Sequence, residues 1–210
     1  MVVLDGKKIS NDIKNEIALE VKSMTAKGNR PPHLAAIIVG NDGASLTYVG
    51  SKVRACERVG FDSSLISLSE SINENELLDK VNQLNNDDNI DGYIVQLPLP
   101  EHIDSQKILM SVDPEKDVDG FHPTNFGRMA LNLPTFISAT PYGIMELLKR
   151  YDVQTEGKHT VVIGRSDIVG KPISLLMGLK TNPGNSTVTM VHSRTKNIKD
   201  LIKQADIIIS

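Results

Sequence analysis

An apolar strand that runs directly into a glycine turn and then a proline-started helix constrains this chain more than any other feature. The segment is Val161–Pro172, with the sequence Val-Val-Ile-Gly-Arg-Ser-Asp-Ile-Val-Gly-Lys-Pro. A helix begun in this way directs its unpaired backbone N–H groups at the turn, where the pyrophosphate of a dinucleotide can lie. The glycines are Gly164 and Gly170, with Ser166 where the usual G-x-G-x-x-G fingerprint has a second glycine, so the segment alone does not settle the ligand.

The composition bounds the class of protein. Its 210 residues, 40% of them apolar, can form one large or two modest globular domains. With 23 basic and 26 acidic residues the net charge is −3, so we expect neither nucleic acid nor an anionic membrane as a partner. The single cysteine, Cys56, excludes an intrachain disulfide framework and a multi-cysteine zinc site. No cluster of histidines and carboxylates replaces it, so we expect no metal.

Hydropathy bears on location. The longest apolar runs, such as Leu34–Val39, are too short to span a bilayer. The first residues, Met-Val-Val-Leu-Asp, lack the charged and apolar regions of a secretory signal. These features favour the cytoplasm.

The first part of the chain alternates helix and strand patterns. Apolar residues at helical spacing, and short apolar runs bounded by glycine or proline, mark the elements. We predict a helix over about 7–26, a strand over 34–39, a helix over 44–59, a strand near 64–68, a helix near 73–86 and a strand over 92–96. Repeated β-α-β units of this kind predict a parallel α/β sheet.

The second part follows a segment of weak periodicity over about 113–140, which is typical of a linker or a substrate-binding loop. We therefore predict two domains, over 1–138 and 139–210. A helix near 140–151 precedes the glycine corner, and a strand over 187–192, a helix near 197–204 and a strand from 206 follow it. This is half of a Rossmann-like dinucleotide-binding fold, and an apolar strand ending at Ser210 leaves an open sheet edge. We expect a truncated chain.

Tyr48 and Lys52 are candidates for chemistry because they stand four apart on the second predicted helix and share a face. They can flank a cleft together. A lysine that transfers protons near neutral pH must be partly buried or lie near other positive charge. The alternative is a solvated lysine beside a surface tyrosine.

Gln96 ends an apolar strand and is followed by the rigid Leu-Pro-Leu-Pro of residues 97–100. Ligands bind at the carboxyl ends of strands in open α/β sheets, so its amide can contact a substrate and orient a lysine. The alternative is a polar strand terminus closed by a proline turn.

Asp117 and Asp119 lie in Pro-Glu-Lys-Asp-Val-Asp-Gly, residues 114–120. If this segment is extended, their spacing of two aims both carboxylates the same way, where they can bind a heterocycle with N–H donors. Ordinary Asp-Gly turn chemistry explains the same residues.

The end of the second strand of the second domain indicates which dinucleotide binds. NAD-binding folds usually place an acid there for the ribose hydroxyls, whereas this chain has His192, Ser193, Arg194 and Thr195. An acid would repel a 2′-phosphate, whereas Arg194, the hydroxyls of Ser193 and Thr195, and Arg165 from the first turn can bind one, so we predict NADP. The alternative is a solvated loop after an edge strand.

Taken together, these segments resemble the bifunctional methylenetetrahydrofolate dehydrogenase/methenyltetrahydrofolate cyclohydrolase family from residue 4 to the end of the chain. The order and spacing of several motifs carry the resemblance. They are Val39-Gly40 to Ala44-Ser45, Tyr48-Val49 to Lys52, Gln96-Leu97-Pro98-Leu99-Pro100, Lys116-Asp117-Val118-Asp119-Gly120-Phe121, Thr140-Pro141-Tyr142-Gly143, Gly164-Arg165-Ser166 and Val169-Gly170-Lys171-Pro172.

The resemblance implies an enzyme that oxidises 5,10-methylenetetrahydrofolate with NADP⁺ and hydrolyses the methenyl product to 10-formyltetrahydrofolate. It implies that Lys52 is the central catalytic residue, that Gln96 holds and tunes it, and that Tyr48 packs against the folate. Asp119 anchors the pterin in such a site. Residues assigned by the resemblance to folate binding also include Leu97 and Pro98; those assigned to NADP are Gly164, Arg165, Ser166, Val169, Gly170, His192, Ser193 and Arg194.

The resemblance further implies a folate-binding catalytic domain over 1–138, an NADP-binding domain over 139–210 and a homodimer. Two features depart from it. Ser138-Ala139 replaces the Pro-Cys that many members carry, so no thiol is expected to act there. The family's remaining cofactor-domain strands and terminal helix would lie beyond Ser210. A non-catalytic dinucleotide-binding module, or another two-domain NADP enzyme, are the alternatives.

Overall fold

The computed structural model describes residues 2–210, apart from the side chain of Ala44. The chain forms two compact units. One comprises Lys7–His122, and the other comprises Pro123–Ser210 together with the residues up to Gly6. Among the described residues, no helix is both long enough and apolar enough to cross a bilayer.

The first unit is a three-stranded parallel sheet flanked by helices. Its elements are α1 Gly6–Ala26, β1 His33–Val39, α2 Gly43–Val59, β2 Asp62–Leu68, α3 Glu74–Asn85, β3 Gly92–Val95 and α4 Ser105–Ser111. The strand order is β2-β1-β3, so the central strand comes first in the chain. All five residues Ala35–Val39 of β1 are buried, which agrees with the uninterrupted apolar run expected of a central parallel strand.

Successive residues of β1 point to opposite faces and build two cores. Ile37 packs with Leu77 of α3 and Ile108 of α4 on one face. Ile38 packs with Val49 of α2 on the other face. This is the two-sided burial of a sheet covered by helices on both faces, and it packs α2 on the face of β1 that carries Ile38.

Polar caps set the ends of two of these helices. Asp42 accepts a hydrogen bond from the backbone of Ser45 at the start of α2, and Gly60 ends that helix in the left-handed conformation with φ of 83°. Asn73 and Glu76 form a reciprocal capping box at the start of α3. The register of α2, which carries Tyr48 and Lys52, is therefore set at both ends.

The second unit repeats this topology. Its elements are α5 Pro123–Ala130, α6 Ala139–Arg150, β4 His159–Ile163, α7 Gly170–Gly178, β5 Thr187–Val191, α8 Ile198–Lys203 and β6 Ile207–Ile209. The sheet is parallel in the order β5-β4-β6, and β4 is its buried centre. Val162 packs against Met145 of α6 and Ile173 of α7. A Rossmann-like α/β arrangement is confirmed.

Two helices lie where the sequence patterns predicted none. α4 is only seven residues long and its one buried residue is Ile108, so periodicity gives it little signal. α5 falls inside the segment that we interpreted as a linker, and that interpretation is wrong for 123–130. The available signal was Pro123 at the first helical position with Phe126 and Met129 three residues apart.

The compact units divide before Pro123, whereas the sequence prediction puts the domain boundary after residue 138. The difference arises because α5 packs through Met129 into the core around Val162. Compactness does not test where the folate and cofactor functions divide, so the boundary after 138 stays a prediction of functional domains.

Candidate active site

The carboxyl ends of the paired parallel strands β1 and β3 lie side by side at one edge of the first unit's sheet. From β1 the chain crosses to β2 on one side, and it then returns to β3 on the other, so β1 and β3 flank the topological switch point where open α/β sheets bind ligands. Gln96 directly follows β3, and its backbone N–H donates to Ile37 of β1 at 2.9 Å. α2 follows β1 and carries Tyr48 and Lys52.

Lys52 lies between two other predicted site residues. Its Nζ is 3.7 Å from Oδ1 of Asp119 and 4.8 Å from the centroid of the Tyr48 ring. The Lys52 side chain is 25% exposed, so the alternative of a freely solvated lysine does not describe it. Tyr48 is 58% exposed and presents its ring beside the ammonium group. Residues separated by about 70 positions in the chain thus converge on one charged group.

The carboxylate of Asp119 is in an unfavourable environment for a charge. Burial raises its pKa above the ordinary aspartate value, the Lys52 ammonium opposes this rise, and the nearby charge of Asp117 adds to it. N–H donors from a ligand would replace the water that a buried carboxylate has lost, and would therefore stabilise its charged form.

Asp117 and Asp119 do not act as a parallel pair, because the segment is not extended. Asp117 makes an isolated parallel bridge to Tyr93, and residues 118 and 119 form a turn. The buried carboxylate of Asp117 accepts the backbone N–H of His122 at 2.7 Å, whereas Asp119 faces Lys52. The condition for both carboxylates to aim the same way, an extended segment, is therefore not met, and turn chemistry explains Asp117.

The Gln96 side chain is half-buried, and its amide nitrogen donates to the carbonyl oxygen of Leu97 at 2.7 Å. The Leu97–Pro98 peptide bond is cis. In this conformation the amide nitrogen is engaged at its own strand end. The predicted roles of Gln96, Leu97 and Pro98 toward Lys52 and a substrate stay predictions.

In the second unit, the glycine corner leaves β4 as the sequence predicts. Gly164 has φ of +125°, a conformation that favours glycine. Its N–H donates to the carbonyl of Val191, the last residue of β5, at 2.8 Å. The turn after β4 and the turn after β5 therefore share one edge of the sheet.

The expectation of unpaired N–H groups at the start of α7 is wrong. The Ser166 hydroxyl accepts the N–H groups of Val169 and Gly170, each at 3.2 Å, and its carbonyl accepts that of Lys171 at 3.0 Å. Pro172 has no N–H and is the third helical residue, not the first. A serine in place of the fingerprint's second glycine brings a hydroxyl that caps the helix from within the turn.

Gly170 is required by close packing. A Cβ at this position would lie 2.6 Å from the carbonyl oxygen and 2.7 Å from the carbonyl carbon of Gly164. The backbone of the turn therefore folds directly against the first residue of α7, and Arg165 and Ser166 remain exposed at the surface of the turn.

The turn after β5 is held by its own side chains. The backbone N–H of His192 donates to the Thr195 hydroxyl at 2.9 Å, and Nδ1 of His192 accepts the backbone N–H of Arg194 at 3.2 Å. Ser193 and Arg194 are exposed. Thr195, grouped above with the phosphate ligands, is thus engaged within the turn, while Ser193, Arg194 and Arg165 form the exposed polar set at this edge.

The sequence patterns did not single out Asp167, a charged residue of the glycine turn. Asp167 places a carboxylate in a loop predicted to receive an anion, which is unfavourable by itself. Lys171, four residues later, forms an ion pair with it. The spacing of four was the available signal, and the pair neutralises the acid.

Two domain models match the chain. The catalytic-domain model of tetrahydrofolate dehydrogenase/cyclohydrolase matches residues 4–119, and the NAD(P)-binding-domain model of the same enzyme matches residues 138–210. The chain belongs to the tetrahydrofolate dehydrogenase/cyclohydrolase family. Within this family, the chain is 69% identical over 210 residues to the bifunctional protein FolD of Flavobacterium johnsoniae, covering 100% of this chain and 71% of the relative.

Solved structures of the family agree with this fold. The bifunctional FolD enzyme of Campylobacter jejuni superposes with a TM-score of 0.94 at 45% identity, covering 99% of this chain and 72% of that one. The Trypanosoma brucei methylenetetrahydrofolate dehydrogenase-cyclohydrolase, solved with NADP cofactor and an inhibitor, gives a TM-score of 0.92 at 35% identity, with 100% and 71% covered. The resemblance stated from the motifs is confirmed.

Proposed function

We propose that the protein is a bifunctional NADP-dependent methylenetetrahydrofolate dehydrogenase and methenyltetrahydrofolate cyclohydrolase of one-carbon metabolism. The observation that carries this proposal is the convergence of Lys52, Tyr48 and Asp119 at the switch point of the first sheet. Membership of the family supports it, since relatives and solved neighbours are described as bifunctional enzymes with both activities. We infer that Asp119 anchors the pterin, because its buried carboxylate is suited to accept pterin N–H donors.

The dehydrogenase reaction requires the protein to align the folate with the hydride acceptor, and it does not depend on proton transfer by a side chain. The carbon bridging N5 and N10 of the folate loses a hydride and becomes a methenyl cation. NADP⁺, when bound, supplies the hydride acceptor. Asp119 and the Tyr48 ring hold the pterin in place, and such positioning contributes to the alignment that hydride transfer needs.

The cyclohydrolase reaction needs proton transfers. Water adds to the methenyl carbon and loses one proton. The remaining O–H then loses its proton to form the formyl C=O, as the bond from that carbon to N5 breaks and N5 gains a proton, giving 10-formyltetrahydrofolate. The overall change releases one proton. Lys52 is placed to move these protons because its partly buried side-chain nitrogen lies beside both Asp119 and the Tyr48 ring.

The residues of the second unit fit NADP. Two exposed arginines and one serine, Arg165, Arg194 and Ser193, follow the paired strands β4 and β5 at the same edge. The one acid in the glycine turn, Asp167, is paired with Lys171. This donor set suits a 2′-phosphate. Ser166, Val169 and Gly170 shape the turn beneath the predicted cofactor, and His192 supports the turn that presents Arg194.

Two assays test this proposal. The purified protein is mixed with methylenetetrahydrofolate and NADP⁺, and NADPH formation is followed by its absorbance; the methenyl compound is supplied separately, and the loss of its absorbance is followed. Both signals are expected. NADPH formation without accelerated methenyl loss would leave only a dehydrogenase, and binding of folate without either signal would favour the non-catalytic module.

Three finer assignments belong to this proposal. We place the enzyme in the cytoplasm, as a homodimer, and we propose that its 10-formyl product supplies purine biosynthesis. Sedimentation of the purified protein tests the homodimer.

A further inference from the structure

Lys116 opens the Lys-Asp-Val-Asp-Gly segment, and the roles proposed above do not account for it. Its ammonium group is partly buried and donates to the carbonyl oxygens of Leu84 at 2.9 Å and Asp87 at 2.8 Å. Leu84 lies in the last turn of α3, and Asp87 lies in the turn after it. The C-terminus of a helix is the negative end of its dipole, so a cation bonded there ties the segment to the helix.

The backbone of Lys116 is fixed as well. Its N–H donates to Asp113 at 2.8 Å, and its carbonyl accepts the N–H of Tyr93 in β3 at 2.9 Å. The next residue, Asp117, completes a parallel bridge to Tyr93. Lys116 is therefore the residue at which the segment is joined both to α3 and to the edge of the sheet.

From this point the segment runs over β3 toward Asp119. Val118 packs so closely on Gly92 that a Cβ at residue 92 would lie 2.3 Å from Cγ1 of Val118. Asp119, whose carboxylate faces Lys52, is the next residue after Val118 and lies in the same turn. A displacement of Lys116 therefore passes to Asp119 through the two residues between them, Asp117, which is bridged to β3, and Val118, which is packed on it.

We propose that Lys116 is a positioning residue for folate binding, holding Asp119 where the N–H donors of the pterin meet its carboxylate. This inference rests on the proposed function. Lys116 does not touch the substrate; it acts by fixing the segment that carries Asp119. Loss of its two hydrogen bonds therefore weakens folate binding selectively and leaves the proton transfers of Lys52 in place.

The test compares three variants of the full chain. Lys116→Met keeps an unbranched side chain, one atom shorter, and removes its donors, and Lys116→Arg restores donors. Asn86→Ala is the matched control, because the Asn86 amide also bonds at the end of α3, to the carbonyl of Asn82 at 2.7 Å, without reaching the segment 113–119. For each variant, KM and kcat of the cyclohydrolase, the affinity for NADP and the thermal midpoint are measured.

For Lys116→Met we expect KM for the folate to rise by about tenfold, with kcat and NADP affinity little changed, as when uniform binding is lost. Lys116→Arg should recover most of the affinity, and Asn86→Ala should keep the wild-type KM at a similar loss of stability. Equal KM values for Lys116→Met and Asn86→Ala would overturn the inference. If Lys116→Met does not fold, Lys116→Gln replaces it with an intermediate KM expected.

The wild-type protein separates this inference from the proposed function. If wild type shows no turnover and no folate binding, the proposed function fails and the inference fails with it. If wild type is active and KM does not respond to Lys116→Met or Lys116→Gln, only the inference about Lys116 fails.

Discussion

At the scale of single residues, Lys52 is expected to contribute most to the cyclohydrolase rate. Replacement by Met removes its ammonium group but keeps an unbranched side chain of similar size. We expect cyclohydrolase activity to fall by at least about a hundredfold, because a positioned acid–base group contributes at least that much. Loss of methenyl absorbance measures the rate. Lys107→Met, which removes an exposed lysine paired with Glu74, is the control and should stay active. Full activity of Lys52→Met would remove Lys52 from the mechanism.

Asp119 makes folate binding sensitive to pH. Its carboxylate must be ionised to accept two N–H donors, and burial raises its pKa above the ordinary value, with Lys52 opposing and Asp117 adding to the rise. Affinity is therefore expected to weaken on acidification while the pH is still above about 4, where an exposed aspartate stays ionised. Titration calorimetry with a stable folate across this range measures the effect.

The folate ligand has carboxylates of its own, so the Asp119→Asn variant provides the comparison for that titration. Its affinity should be lower than that of wild type at neutral pH. The ratio of the two affinities should shrink as the pH falls, because protonation makes wild type resemble the variant. A constant ratio would contradict the role given to the Asp119 carboxylate.

At the scale of elements, the glycine corner shows how a turn and a helix fit together. In Gly170→Ala the new methyl group meets the backbone of Gly164 at 2.6 Å, which neither residue can relieve without moving the turn. We expect a loss of stability of about 1–3 kcal/mol and a weaker affinity for NADP. Thermal unfolding and NADP titration measure the two effects.

Gly178→Ala is the matched control for that variant. Gly178 ends the same helix, and its added Cβ would meet only Val188 at 4.0 Å. Alanine is the better helix former, so this variant should be neutral or slightly stabilised. If both alanine variants bind NADP equally well, close packing at Gly170 does not shape the cofactor site.

Periodicity was sufficient for the elements whose apolar residues form an uninterrupted run or recur regularly at helical spacing. The strand at 34–39 and the helix at 44–59 agree with β1 and α2 to within a residue or two. It failed for α4 and α5, whose burial depends on one or two residues that only tertiary packing selects. The pairing of Lys52 with Asp119 was also beyond the pattern, because it depends on the turn at 118–119. The hydroxyl cap by Ser166 likewise requires the three-dimensional path of the loop.

At the scale of the whole molecule, the central strand of each unit begins with the same pair of hydrogen bonds between a histidine and an aspartate. His33 opens β1 and donates its N–H to the carboxylate of Asp91 at 2.8 Å, and His159 opens β4 and donates to Asp206 at 2.9 Å. Each aspartate returns its own N–H to the histidine carbonyl. Because the aspartates precede β3 and β6, each bond fixes the register of the crossover strand that creates the switch point.

The hydrogen bonds of Asp91 give the stability of the protein a predictable dependence on pH. The side chain of Arg30 is the main cause that lowers the pKa of Asp91, and the backbone N–H of His33 contributes; burial opposes both. A lowered pKa in the folded state stabilises the protein above the unfolded value and loses that contribution as the pH falls. Asp91 is about half exposed, so Asp91→Asn should cost about 1 kcal/mol or less at neutral pH.

Urea unfolding of wild type and Asp91→Asn at several pH values measures the difference directly. The difference should be largest at neutral pH, remain until about pH 4, and vanish below the folded-state pKa of Asp91, since both proteins then carry a neutral group there. Asp79→Asn, which removes an exposed aspartate of α3, controls for the change in net charge and should show a smaller difference. If the difference in the free energy of unfolding between wild type and Asp91→Asn grows on acidification, its sign is opposite to the one expected. The contact of Asp91 with Arg30 and His33 would then not stabilise the start of β1 against the crossover strand.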